Sequence, residues 1–255
     1  MNSSNPALRH DVFQSNIDAF DGRTASRPDA MSLTGTVIKT GILLILCIAA
    51  AGVAVNMLLK GAAISSGVAI GFGIGALVLS LIIGFVPRTA PFLAPIYAVV
   101  KGSLLGAISL WYAESFGRGG DLLIAQAVAL TFGIFLAMLL CYATGLIRGG
   151  PLFTRVITVA MIGICLTYLA NFICSLLGFT FMAPLFGAGW IGIGFSLLVV
   201  GVASFSLILD FQIVSNGISN GAPKYMEWYA GFAMLVTLIW IYMEILRLLS
   251  KLRSK

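Results

Sequence analysis

Three ionisable residues stand inside long apolar stretches of this sequence: Lys101, Asp210 and Glu244. A charge is costly in a low-dielectric interior, so each marks a candidate functional position. Asp210 follows an uncharged run from Ile191 to Leu209, and Glu244 follows one from Ala230 to Met243. Two carboxylates brought together where water is scarce cannot both ionise cheaply. Such a pair shares a proton or holds a cation, which is the outline of a pH-sensitive cation gate. The bland alternative puts each acid near a helix end, against headgroups or water. Lys101 has three courses open: to snorkel, to lose its charge, or to pair with Asp210 or Glu244 and seal a closed pore. Glu114, Asp121 and Glu227 sit at the ends of apolar stretches and read as interfacial, with Glu227 a rival partner for Asp210.

Other chemistry has little to stand on. The one histidine, His10, lies in a polar stretch, and Cys47, Cys141, Cys165 and Cys174 form no CxxC pair. A protein-only metal site, a haem ligand pair and a Ser-His-Asp triad are therefore not expected. Phosphate-loop, nucleophile-elbow and HExxH patterns are missing, as are the YD and GxGD patterns of intramembrane aspartyl proteases. The sequence predicts neither an enzyme nor a bound cofactor.

The elements that must position these residues are membrane helices. Of 255 residues, 60% are hydrophobic and 9% charged, and the mean hydropathy is +1.05. A soluble domain carries about 25% charged residues. Seven apolar segments are long enough to cross a bilayer, for which about 20 residues suffice. They run from about Thr36 to Leu59, Gly67 to Val86, Leu93 to Tyr112, Leu122 to Ile147, Val156 to Leu177, Trp190 to Val214 and Trp228 to Leu249. They are apolar on all faces, where a β-barrel strand would alternate. The expected fold is an all-α polytopic bundle: a polar N-terminal arm (1–33), a seven-helix transmembrane domain (34–250) and a basic tail (251–255). Gly67, Gly71 and Gly75, and Gly102 with Gly106, have the spacing that lets helix backbones approach closely.

The net charge of +6 sits mostly in loops and at the ends, where it orients helices and meets anionic lipid rather than nucleic acid. Seven crossings place eight Lys and Arg residues on the N-terminal side and six on the other. The positive-inside rule then puts the N-terminus in the cytoplasm. The tail from Arg247 to Lys255 pulls the other way, and a re-entrant segment would put both ends there. The arm lacks a signal-peptide core and a myristoylation glycine.

The stretches APIYAVVKGSLLGAIS (Ala94 to Ser109), SLILDFQIVSNGI around Asp210, and GAPKYMEWYAGF with WIYMEILRLL (Gly221 to Leu249) resemble the Bax inhibitor family in its bacterial YccA-like branch. NPAL (Asn5 to Leu8) and MSLTGTVIKT (Met31 to Thr40) resemble one subgroup of it. The resemblance implies seven helices with a central last helix, in a bacterial inner membrane. It implies a pH-sensitive calcium leak gated by two facing acids on helices six and seven, with calcium as the transported ion. Asp210 matches the first acid; Glu244 stands where better-known members have Asp. It also links bacterial relatives to a membrane-bound AAA-class protease, for which the N-terminal arm is a candidate contact. A non-conducting modulator of such a protease, or of a stress response, is therefore the alternative to a leak. A proton-coupled transporter is a weaker third reading. Two departures stand out: Lys101 replaces a common acid, and Asp210 and Glu244 are unequally far from a turn near Gly221. The mismatch is on the order of 15 Å at ~1.5 Å per residue, which only a broken helix or looped-out segment would close. A monomer is the favoured state.

Overall fold

The computed structural model describes residues 30–61, 66–117, 119–147, 149–179 and 183–254. Most of the N-terminal arm with His10, the loop residues Arg118 and Arg148, and the terminal Lys255 lie outside them. Seven long helices follow in order: α1 (Leu33–Leu59), α2 (Ser66–Phe85), α3 (Ala90–Phe116), α4 (Gly120–Ala143), α5 (Pro151–Leu176), α6 (Trp190–Ser219) and α7 (Met226–Arg253). A 3-10 turn, Pro87–Thr89, leads into α3, and a four-residue helical turn, Ala183–Phe186, precedes α6. The described residues contain no strand, only an isolated bridge between Ala30 and Pro223.

All the long helices except α2 are long and apolar enough to cross a membrane. α2 adds a 20-residue apolar helix. The chain is thus a multi-pass helical membrane protein. In hydrocarbon the backbone must satisfy itself, which is why apolar runs of this length become helices. Ser32 caps α1 by accepting from the Gly35 N–H, and proline opens both α3 and α5, where its missing N–H costs nothing.

α7 has the largest buried share of the candidate spans and α5 the smallest. Two apolar cores meet on α7. One gathers Leu123, Leu207, Ile208, Phe211 and Val214 around Leu238 and Ile241. The other gathers Leu43, Ile83, Tyr97 and Leu105 around Phe232, Leu235 and Ile239. The central last helix that the resemblance implied is therefore what the fold has.

α1 and α3 are the most extensively packed pair, and glycine makes this possible. A methyl added at Gly102 would overlap the Cys47 carbonyl, and one at Gly106 the Ala51 carbonyl. The glycine spacing in α2 has no such use: Gly71 and Gly75 have open space where a Cβ would stand. The tight packing expected of that stripe is not made at these two positions; the surroundings of Gly67 lie outside the described residues.

The helices alternate between two ends of the bundle. At one, the Met31 N–H donates to the Ala222 carbonyl at 2.7 Å, tying the start of α1 to the α6–α7 turn. At the other, Arg253 donates to the Gly119 carbonyl between α3 and α4. These are called the Ser32 end and the Lys251 end below.

Gly106→Val should part α1 from α3 and lower stability by about 2–4 kcal/mol, in the range of overpacked core substitutions. Gly133→Ala, where the added methyl meets nothing within 4 Å, should change stability by less than about 1 kcal/mol. Thermal unfolding in detergent distinguishes the two.

Candidate functional site

α6 and α7 are joined by a short turn through Gly221, whose φ of 64° lets the Ala222 N–H return to the Gly217 carbonyl at 2.9 Å. From that turn the two helices run back antiparallel in a fixed register. Thr237 donates its hydroxyl to Asp210 Oδ2 at 2.6 Å. Two heptads further along α7, Lys251 Nζ donates to Ser196 Oγ at 2.9 Å. Midway between, the same spacing sets Glu244 against Ala203, both buried. Residues seven apart share a helix face. Thr237, Glu244 and Lys251 therefore form one polar line on α7, and Asp210, Ala203 and Ser196 the line opposing it on α6.

This register decides where the predicted acids go. Asp210 and Glu244 do not meet, in contrast to the facing pair that the resemblance implied. They stand one heptad apart along the seam, about 10 Å at ~1.5 Å per residue. Neither helix breaks to close the gap. Asp210 keeps Thr237 as its partner. Glu244, 2% exposed, is held by Arg247 one turn later (2.9 Å to Oε1 and 3.2 Å to Oε2) and by the Tyr168 hydroxyl of α5 at 2.7 Å. Arg247 also donates to Tyr168 and stacks on its ring, 5.0 Å from the centroid. The carboxylate charge of Glu244 is thus spent locally: an ion pair and a hydroxyl satisfy it in a low dielectric, where an unpaired charge would be far costlier.

Glu227 does not reach Asp210 either. It forms an ion pair with Lys39 of α1 and accepts from the Ser32 N–H and the Ser32 hydroxyl, both at 2.9 Å. Trp228 lies beneath the same lysine, 5.7 Å from Nζ to the ring centroid. Gly35 allows this approach, since a Cβ there would overlap the Glu227 carboxylate. Instead of facing headgroups, Glu227 is 1% exposed and pins α1 to the start of α7. Glu114 and Asp121 are exposed, in line with an interfacial role.

Lys101 stands mid-way along α3, half-buried. The described residues hold two ion pairs, and it belongs to neither. The pairing with Asp210 or Glu244 that would have sealed a pore is not made. Two cavities flank α7, of about 440 and 780 Å³, and both have apolar walls. None of Lys101, Asp210 and Glu244 lines either cavity; Glu244 is buried and Asp210 half-buried on the α6–α7 seam. Towards the Ser32 end it gives way to apolar side chains: Met31 seats on Gly217, with Phe211, Val214, Ala230 and Met234 in the same core. Among the described residues no three His, Cys, Asp or Glu side chains gather as metal ligands.

A helical membrane bundle with an aspartate on the sixth long helix, set against a central seventh, is the arrangement the resemblance called for. A sequence model of the family described as Bax inhibitor 1 like matches residues 5–254. The chain belongs to that family. Comparison with curated proteins and with solved structures gives no match. Within this Bax inhibitor 1 like fold, the residues that sequence reasoning passed over are Lys39, Tyr168, Ser196, Thr237, Arg247 and Lys251. Arg247 and Lys251 had been assigned to a basic tail that orients the chain. The signal that would have placed them is the seven-residue spacing Thr237–Glu244–Lys251 within an apolar helix. No local pattern marks Tyr168.

Arg247→Met should leave Glu244 as an unpaired buried carboxylate and cost about 3–5 kcal/mol. Adding Glu244→Gln should recover much of that loss. A double-mutant cycle on unfolding in detergent measures the coupling; additive effects would show that the two side chains act independently.

Proposed function

We propose that the chain is a pH-sensitive cation leak of the Bax inhibitor type, with calcium as the transported ion and Asp210 as the intramembrane acid that governs it. The observation that carries this reading is the state of Asp210. It sits deep in α6 with a hydroxyl partner, Thr237, and takes part in neither ion pair found among the described residues. A carboxylate whose charge is met by a hydroxyl and not by a fixed cation is where a proton or a passing cation exerts most leverage. Glu244 has its own arginine, so its role is to clamp α5 and α7 together, not to share a proton with Asp210. In this reading the protein is not an enzyme and carries no resident cofactor. It works as a monomer of the YccA-like branch in a bacterial inner membrane, N-terminus in the cytoplasm.

A second reading, a non-conducting modulator of a membrane-bound AAA-class protease or of a stress response, is favoured by a basic residue on the seam. Lys251 lies between Asp210 and the Lys251 end, where an ammonium with no carboxylate among its hydrogen-bond partners repels an approaching cation; Arg247 beside it is neutralised by Glu244. The N-terminal arm would then carry the partner contact.

Calcium efflux from proteoliposomes across a pH series separates the two. Under the leak reading Asp210→Asn flattens the pH profile and lowers efflux about tenfold, the loss expected for about 1.4 kcal/mol of cation stabilisation. Glu244→Gln changes stability more than the profile. Efflux at the empty-liposome level from the intact protein, with partner capture that is lost on deleting residues 1–29, would favour the modulator. An unchanged rate and profile in Asp210→Asn would remove Asp210 from the mechanism.

A further inference from the structure

Lys251 is 5% exposed, unusually buried for an ammonium, in the last turn of the central helix. Its three N–H donors find three oxygens: the Gly192 carbonyl and Ser196 Oγ, both at 2.9 Å, and the Leu185 carbonyl at 3.4 Å. None belongs to a carboxylate. These oxygens come from two pieces of chain pressed together, the Ala183–Phe186 turn and the first turns of α6. Gly192 allows the approach: a Cβ there would overlap the Gly187 carbonyl and lie 3.3 Å from that of Leu185. Aromatic packing fixes the turn, because Phe186 meets Tyr168 in a tilted contact at 5.5 Å and Phe195 edge-to-face at 5.8 Å. The oxygens are thus held by glycine contact and ring packing as well as by the lysine they surround.

A cage of neutral oxygens around a dehydrated ammonium has the chemistry of a site for a monovalent cation. Calcium sites usually have carboxylates among their oxygens; the three oxygens of this cage are all neutral. We propose that the Leu185–Gly192–Ser196 cage is a monovalent-cation site occupied by the protein's own ammonium, so that Lys251 acts as a tethered plug at the Lys251 end of the α6–α7 seam. If the ammonium is withdrawn, the cage takes a free ammonium or potassium ion in its place. The site stands on its own geometry. Only its effect on flux rests on the leak reading.

Lys251→Met tests this, because the methionine side chain ends one atom short of Nζ and keeps the apolar stem. The full-length variant and the wild type are unfolded thermally in detergent, in potassium, methylammonium or choline chloride at equal ionic strength. The variant should melt several degrees higher in potassium or methylammonium than in choline, and Ser196→Ala in the same background should reduce that difference. The wild type should not distinguish the salts. Equal response of variant and wild type overturns the site, whatever the liposomes show. If Lys251→Met folds in none of the salts, Lys251→Gln, which retains two N–H donors, is judged by the same comparison. In proteoliposomes Lys251→Met should raise potassium flux at least threefold. A cation-protected variant whose flux equals that of a leaking wild type overturns the plug and leaves the leak reading intact.

Discussion

The arrangement depends on the register of α6 against α7. A charged side chain in hydrocarbon must find a partner or be neutralised, and each partner is available at one level of the neighbouring helix only. Asp210 with Thr237 and Ser196 with Lys251 fix the antiparallel pair at two levels, two heptads apart. A shift of one residue would break both contacts and turn Glu244 from Ala203 towards a larger neighbour. Ala203 is fully buried; the register sets it opposite Glu244, whose carboxylate the Tyr168 hydroxyl reaches from α5. Apolar packing alone would not choose this register, since Leu, Ile and Val pack nearly as well against lipid as against one another.

The same cost explains why α7 is anchored at both ends. Glu227 draws Ser32 and Lys39 of α1 to its first turn. Lys251 draws the turn before α6 to its last. Between them, Tyr242 shares a hydrogen bond of 2.7 Å with Ser109 of α3. A helix in the middle of a bundle is thereby joined to α1, α3, α5 and α6 by polar contacts, with two apolar cores filling the space between. The α1–α3 pair is held differently: Gly102 and Gly106 bring backbones together and no charge takes part.

The helices were legible because hydrocarbon leaves an apolar run of about 20 residues almost no other structure. Nine of the fourteen predicted ends are extended, by one to five residues, because capping and interfacial residues carry little hydropathy signal, whereas α2, α4 and α5 stop one to four residues short of the predicted ends. The site was legible in part. Asp210, Glu244 and Lys101 stood out because each is a charge inside a run of Leu, Ile and Val. Their partners did not, because a partner is a property of two helices and the sequence lists them one at a time. Tyr168 and Thr237 are ordinary residues of an apolar segment until α7 supplies the other half of the bond. Glu227 and Lys251 were misjudged for a different reason: position near a helix end suggests solvent, but in this bundle the ends fold over one another. The unequal distances of Asp210 and Glu244 from Gly221 predict that the two do not align, and the offset is one heptad.

That offset bears on how any such pathway would work. Two acids in contact would make one proton-sharing gate. Two acids one heptad apart, one of them neutralised by Arg247, make two different barriers around a single uncompensated carboxylate. From the Ser32 end an ion meets Met31, Phe211, Val214 and Met234, a seal that excludes it for want of solvation. From the Lys251 end it would meet the Lys251 ammonium, which opposes it by like charge, and then the neutral Arg247–Glu244 pair. On the leak reading, Asp210 is the level between them at which a cation would gain. In the same reading, relieving the Lys251 barrier alone raises flux only in part, and full opening also requires the apolar Ser32 end to change, with Asp210 between the two.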